Sequence, residues 1–210
     1  MIEKEKGVLP KSWRWEQLKH VSEINPKRSL KIARDDDYMT TFIPMNAVDG
    51  LTGTISSKIE RPFGEVKKGY TYFEEGDVLF AKITPCMENG KQVIATGLIG
   101  GFGFGTTEFH VLRPGSLLHA EWLYYYLRRP EVLNEAANHM TGAVGQQRLP
   151  LKFLADLEIP LPPLLEQQRI AAILKEQLAA VEKARRACEE QLEVINSLPE
   201  ALFRNAFFNS

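Results

Sequence analysis

The stretch Thr141-Gly-Ala-Val-Gly-Gln-Gln-Arg-Leu-Pro150, continued from Phe153 as Leu-Ala-Asp-Leu-Glu-Ile-Pro-Leu-Pro-Pro-Leu-Leu-Glu-Gln-Gln-Arg-Ile-Ala-Ala-Ile-Leu174, decides how the chain is organised. It reads as a Gly-rich loop, an apolar segment, a proline-locked joint and the start of a long helix. Pro160, Pro162 and Pro163 lack an amide donor and fix φ, so no helix runs through them. After Pro163 the apolar spacing becomes helical and keeps that period to Pro199. A globular domain over residues 1–163 is expected to join a rod over 164–198. Pro199 then suits the first turn of a separate terminal helix over 199–210, whose Leu202, Phe203, Ala206 and Phe207 form another apolar face.

Along the rod, Leu174, Leu178, Val181, Cys188, Leu192 and Ile195 follow a 4-3-7-4-3 spacing, a heptad seam in which Arg185 takes the remaining position. Six acids and five bases cover the other faces. At about 1.5 Å per residue, roughly 33 residues span close to 50 Å. A rod of that length with so narrow an apolar stripe needs a partner.

Upstream of the joint, short apolar runs alternate with turn residues: Thr41-Phe-Ile-Pro-Met, Leu51-Thr-Gly-Thr-Ile, Gly69-Tyr-Thr-Tyr-Phe, Val78-Leu-Phe-Ala-Lys-Ile-Thr, Gly90-Lys-Gln-Val-Ile-Ala and Thr107-Glu-Phe-His-Val-Leu-Arg-Pro. β-branched and aromatic residues punctuated by Gly and Asp predict a twisted, mostly β domain. Ala120-Glu-Trp-Leu-Tyr-Tyr-Tyr-Leu-Arg-Arg predicts a helix stopped near Pro130, and residues 131–140 a second. The class is therefore α+β, with a long coiled-coil-forming helix at its end.

Composition narrows the function classes. The net charge of −1 gives no global field toward nucleic acid or membrane. No apolar run approaches the roughly 18 residues that span a bilayer, and Met1-Ile-Glu-Lys-Glu-Lys is too charged for a signal peptide. A cytoplasmic protein is expected. Cys86 and Cys188 form no metal-spaced pair, and His20, His110, His119 and His139 do not fall at ligand spacing. Asp35-Asp36-Asp37 reads as a solvated turn, since three consecutive carboxylates cannot all converge on one ion from a strand. Gly100-Gly-Phe-Gly-Phe-Gly lacks both the dinucleotide spacing and the Walker lysine. No cofactor, metal or catalytic residue is expected.

What remains is a set of polar loops suited to nucleic acid. Five cations (Lys19, Lys27, Arg28, Lys31 and Arg34) face a single acid, Glu23, and Asn25-Pro26-Lys27-Arg28 is a turn that presents two of them. The segment 82–91 offers Lys82, Thr84, Glu88, Asn89 and Lys91. Gly105-Thr-Thr-Glu adds Thr106 and Thr107. Residues 141–148 add Gln146 and Gln147, which suit adenine, and Arg148, which suits guanine or phosphate.

Together these residues resemble the specificity subunit of type I restriction–modification systems. Leu9-Pro-x-x-Trp is similar to the family's domain opening. Glu75-Gly-Asp-Val-Leu-Phe-Ala-Lys-Ile-Thr-Pro, Gly105-Thr-Thr-Glu-Phe and the Gly142 to Leu149 segment resemble its target recognition domain. Leu157-Glu-Ile-Pro-Leu-Pro-Pro-Leu-x-Glu-Gln-Gln-Arg-Ile resembles the joint into its long helix, and Leu198-Pro-Glu-Ala-Leu-Phe-Arg-Asn-Ala-Phe the helix end. The resemblance implies a non-catalytic reader of double-stranded DNA that docks modification (methyltransferase) subunits and, in the restricting complex, restriction/translocase subunits. Family members carry two recognition domains and two antiparallel helices. A chain with one of each is expected to act as a half-subunit, reading half of a bipartite target and pairing with a second copy through antiparallel helices. Gln167, Arg169 and Lys175 are the expected exposed docking contacts. The competing readings are a stand-alone methyltransferase or nuclease and a scaffold without DNA contact. Against the first stands the missing Asp/Asn-Pro-Pro-Tyr/Phe tetrapeptide of amino-methyltransferases.

Overall fold

The computed structural model describes residues 8–29, 32, 34–143 and 145–208. Lys31 and the charged opening at 1–6 lie outside them. In chain order, β1 (Arg14–Gln17), α1 (Leu18–Val21), β2 (Ser22–Ile24), β3 (Met39–Ile43) and β4 (Ile59–Pro62) come first. There follow α2 (Phe63–Val66), β5 (Thr71–Glu74), β6 (Val78–Ala81), β7 (Gln92–Ile94), β8 (Phe102–Gly105) and β9 (Phe109–Pro114). Then come α3 (Ala120–Leu127), α4 (Pro130–Asn138), α5 (Leu151–Asp156), β10 (Glu158–Leu161) and α6 (Leu164–Phe208). The expected α+β class holds.

Two four-stranded sheets, ordered β4-β3-β8-β5 and β2-β9-β6-β7, make the domain, and β1 pairs with β10 in a third, two-stranded sheet. Pairing is antiparallel except between β3 and β8. Neighbouring residues on a strand face opposite ways, and the sequence of the first sheet uses both faces. Ile43 and Phe73 enter a cluster with Leu79, Val93, Phe109 and Val111 of the second sheet. Phe42 and Tyr72 turn the other way, toward Phe102, Phe104, Phe63 and Val66.

The Phe-Gly-Phe-Gly run of β8 is the strand between these two clusters. Its phenylalanines fill the outer one, while the Phe73 ring lies across its glycines. A Cβ on Gly103 would stand 2.7 Å from the Phe73 ring and 2.9 Å from the Thr41 carbonyl; one on Gly105 would stand 2.7 Å from the Ile43 carbonyl. The glycine richness thus serves close packing of strand on ring.

The expected strand at 51–55 is instead a turn. The Asp49 carboxylate accepts the amides of Leu51 and Thr52, and only the bridge between Val48 and Ile55 remains of the ladder. This local side-chain capture competes with strand pairing. Between the sheets, buried Asp77 takes the Arg113 guanidinium through both oxygens at 2.8 Å, and Arg113 also reaches Glu74 at 3.0 Å. This is a charge-assisted fork in which the buried carboxylate has its compensating cation.

The joint contains a strand. Pro160 lies opposite Trp15 in the β1–β10 ladder, where an edge position tolerates a residue without a donor. The long helix begins at Leu164, directly after Pro163. It does not stop at Pro199 as the sequence reading expected, but continues to Phe208. Proline's fixed φ is itself helical, and the helix continues at the cost of the bond to the Ile195 carbonyl and of crowding between that carbonyl and the proline ring. The compact part of the chain also extends six residues past the joint: one unit closes at Arg169 and a second starts at Ile170.

Gln167 explains that extension, and it overturns its expected role as an exposed docking contact. It is fully buried; its side-chain carbonyl accepts the His119 amide at 2.9 Å, and its amide donates to the carbonyls of Leu117 at 2.9 Å and Pro162 at 2.8 Å. Glu166 beside it accepts the Trp13 indole N–H at 3.1 Å. Arg169 and Lys175 are exposed. In the second unit, Leu178, Val181, Leu192 and Ile195 are each half or more exposed. Arg185 is tied within its own helix to Glu182 and Glu189. With the helix continuous, the heptad runs on through Pro199, Leu202 and Ala206.

Candidate nucleic-acid interface

The end of β6 is the hub of the polar loops. The Lys82 amide donates to the Glu108 carbonyl at 2.9 Å, and the Lys82 carbonyl accepts the Leu149 amide at 2.8 Å. Ile83 and Arg148 form a bridge. At Thr84, the backbone amide donates to the Gln147 carbonyl and the hydroxyl accepts the Gln147 amide, both at 3.0 Å. Thr141 and Arg148 exchange backbone bonds at 3.0 and 2.8 Å, closing the loop between them; Gly142 and Gly145 supply the positive φ values this closure uses. Three segments that lie far apart in sequence are thereby held as one surface.

The basic turn joins the same surface through Asn25 and His110. Asn25, at φ 51°, exchanges bonds with Val111 through its amide and its side-chain carbonyl. Its side-chain amide donates to His110 Nδ1 at 3.2 Å, and His110 Nε2 donates to the Leu149 carbonyl at 2.9 Å. This pattern fixes a neutral imidazole with its proton on Nε2. Burial also holds the His110 pKa below its ordinary value. Residues 25 and 149, one at each end of the domain sequence, are thus locked together by one ring.

Lys27, Arg28, Lys82, Thr84, Thr106, Gln147 and Arg148 lie on or beside this assembly, and their environments differ. Lys27 is exposed; Arg28 lies over the Phe63 ring, 5.1 Å from its centroid. The Thr106 hydroxyl accepts the Glu108 amide at 3.2 Å, while Thr107 and Gln146 are exposed. Arg148 meets Glu108 through both carboxylate oxygens. Glu88 and Asn89 are exposed on the far part of the 83–90 turn. Lys91 is withdrawn from the surface: its ammonium donates to the carbonyls of Met45 at 3.1 Å and Val48 at 2.9 Å, securing a loop of the scaffold.

Between the basic turn and β5 lies an open cavity of about 370 Å³. Among the described residues, Lys27, Arg28, Lys67 and Lys82 line it, with Tyr70 and Phe104 among the rings, and no acid does. Lys67 and Tyr70 escaped the sequence reading. The Lys67-Lys68-Gly69-Tyr70 run was the available signal, but only the fold sets it opposite Lys27. Among the described residues, no group of three or more His, Cys, Asp or Glu side chains gathers as a metal site. No helix among them is long and apolar enough to cross a membrane.

The family model described as "Type I restriction modification DNA specificity domain" matches residues 10–191. The chain belongs to this family. It is 37% identical over 195 residues to the type I restriction enzyme EcoEI specificity subunit of Escherichia coli, covering 92% of this chain and 32% of that protein. The EcoAI specificity subunit of the same organism is 38% identical over 196 residues, with 92% and 33% covered. The chain thus spans about a third of the length of these relatives. Among solved structures, the HsdS subunit from Thermoanaerobacter tengcongensis superposes with a TM-score of 0.69 at 21% identity, over 96% of this chain and 51% of that one. A chain from a study of assembly and conformational transition in the type I R-M system superposes with a TM-score of 0.80 at 22% identity, with the same coverage. The sheets and the long helix are therefore the specificity-subunit fold.

Proposed function

We propose that the chain is a DNA-reading, non-catalytic component of a type I restriction–modification assembly, working in the cytoplasm on double-stranded DNA. The observation that carries this reading is the convergence of the 25–28, 82–84, 105–108 and 141–149 segments on one hydrogen-bonded surface, in a domain of the specificity family. Lys27, Arg28 and Lys82 address phosphates and set register, which carries no sequence information. Gln146, Gln147 and Thr107 carry polar groups for base edges. Because residues 1–165 hold twenty bases and twenty acids, affinity rests on this local clustering and on partner subunits.

The remaining parts of the reading concern assembly. The domain reads half of a bipartite target. The exposed seam of α6 pairs antiparallel with a second copy, and modification subunits dock beside it, near Arg169 and Lys175. Restriction/translocase subunits join in the restricting complex. Twofold symmetry makes the target two inverted copies of one half-site.

Mapping methylated sites in the source genome with and without the gene tests the reading, since loss of one bipartite motif is the expected result. With that motif in hand, Gln146→Ala or Gln147→Ala should lower discrimination at single base pairs by about 1–3 kcal/mol each. Unchanged methylation in the deleted strain overturns the proposal. Methyl transfer by the purified chain alone would favour a stand-alone enzyme instead.

A further inference from the structure

We infer that the cavity between the basic turn and β5 is a seat for one phosphodiester group of the DNA backbone, with Lys67 and Tyr70 as contact residues alongside Lys27 and Lys82. The inference rests on the DNA-reading proposal and gives one site within it a chemical ligand.

Among the described residues, four cationic side chains and no carboxylate line this space of about 370 Å³. In a chain of net charge −1, that local excess marks a place for an anion. Two acids stand beside its cations. Asp36, outside the lining, pairs with Lys67 through a mostly exposed carboxylate that a phosphate must displace, and Glu108 is bound by Arg148. Glu74 accepts the Tyr72 hydroxyl at 2.6 Å and is neutralised by Arg113, which reaches the same oxygen at 3.0 Å.

The walls are rigid where a seat needs them to be. Tyr72, Phe104 and Phe109 are buried core residues, and Lys82 is fixed through its backbone to Glu108 and Leu149. Lys67 sits at the C-terminal cap of α2, its amide bonded to the Phe63 carbonyl. Arg28 is stacked on Phe63, and its buried Nη1 has no hydrogen-bond partner among the described residues. Tyr70 lines the cavity, is 39% exposed and is held edge-on to Phe42, so its ring offers an apolar face for the sugar next to a phosphate. The cavity is too open and too cationic to select a base, so its contribution is independent of sequence.

The test is the salt dependence of binding to a short random-sequence duplex by the full chain, with its modification subunit where that is needed for binding. Each phosphate contact removed should lower the slope of log K against log salt by about 0.9. Lys67→Met and Lys27→Met are expected to do so and to weaken cognate and random duplexes by the same factor, with little change in melting temperature, since the Lys67–Asp36 pair that the first of them removes is exposed. Lys58→Met, a lysine that bonds the Gly97 carbonyl and does not line the cavity, is expected to leave the slope intact. An unchanged slope in Lys67→Met, with a salt-dependent wild type, overturns the seat and leaves the DNA-reading proposal standing. An equal fall in Lys58→Met overturns it as well, because attraction is then diffuse. A wild type without salt-dependent binding removes both.

Discussion

Arg148 and Glu108 form a two-armed ion pair, Nε to Oε2 at 3.0 Å and Nη2 to Oε1 at 2.8 Å. The guanidinium that the sequence offers to guanine is therefore already occupied by a carboxylate from a neighbouring loop. The hydrogen bonds from Arg148 hold the Glu108 carboxyl below the usual carboxylate range. On the proposed DNA-reading function the pair would act as a filter: DNA would have to outcompete Glu108 for the fork, and a wrong base would repay that exchange poorly.

Glu108→Gln should therefore raise affinity for random-sequence DNA and increase the salt slope by about one, as the freed fork takes a phosphate. Discrimination between cognate and random duplexes should fall. Filter binding over a salt series reads both quantities. A loss of random-sequence affinity in this variant would mean that Glu108 only braces Arg148. The sign with pH follows from the lowered carboxyl: the pair's contribution is complete above the ordinary value near 4.5 and lost as pH drops through the lower folded value.

His110 predicts a second pH effect of the same sense but in a higher window. Its folded pKa is depressed by burial, so the unfolded chain takes up the proton first. Stability is then complete above the ordinary histidine value near 6.5 and declines below it, until the folded ring also protonates. His110→Phe should be less stable at neutral pH, because the Leu149 carbonyl loses its donor, and its stability should vary less across this window. Urea midpoints over a pH series decide this; a wild type insensitive between neutral and mildly acidic pH would contradict the assignment.

Gln167 gives a prediction that separates structure from docking. Removing its side chain orphans the His119 amide and the Leu117 and Pro162 carbonyls, at about 1–3 kcal/mol for each group left buried without a partner. Gln167→Ala should lower the urea midpoint strongly with little change in slope, whereas Arg169→Ala should not. For the same reason, a truncation that keeps the domain intact belongs after Arg169 rather than after Pro163. A Gln167→Ala chain of normal stability that fails only to recruit the modification subunit would restore the surface role.

The sequence carried the class, the joint and the rod because those depend on local rules: proline sterics, glycine punctuation and apolar period. It also brought forward three polar loops that the fold does gather. What it could not show is which groups find partners across distance. Lys91 and Arg148 look alike as free cations on paper, yet one secures backbone carbonyls 43 and 46 residues away and the other a carboxylate 40 residues away. Gln167 sits in a helical run whose period says nothing of the loop at 117–119. The Phe-Gly-Phe-Gly run reads in the sequence only as a glycine-rich stretch without a phosphate-loop pattern; its place as a core strand depends on the Phe73 ring, a contact 30 residues distant. Conversely, the local rule that proline opens a helix gave the wrong end for α6, since a helix already in progress can run through one.

The continuity of α6 through Pro199 changes where two copies should meet. With a rod taken from Glu166 to Leu198, the midpoint falls at Glu182, and Arg185 is expected beside the partner's acids. The seam instead extends from Leu174 to Ala206, whose centre is Glu190. Arg185 is also already neutralised by Glu182 and Glu189 of its own helix, and the bonds from Arg185 and Arg186 push the Glu182 carboxyl down to about 2. No acid from the partner is needed there, so the apolar residues alone are left to set the register. An antiparallel pair centred on Glu190 brings each Cys188 within about one helical turn of its counterpart, while an axis at Glu182 separates them by roughly 18 Å along the helix. A short bis-maleimide should therefore link two chains through Cys188 in a Cys86→Ser background, since both cysteines are free thiols. Leu178→Glu combined with Leu192→Glu should give monomers in sedimentation equilibrium and abolish the cross-link. A dimer that resists cross-linking at Cys188 would move the axis back toward Glu182. A monomeric wild type at micromolar concentration would mean that the seam is covered by a different helix.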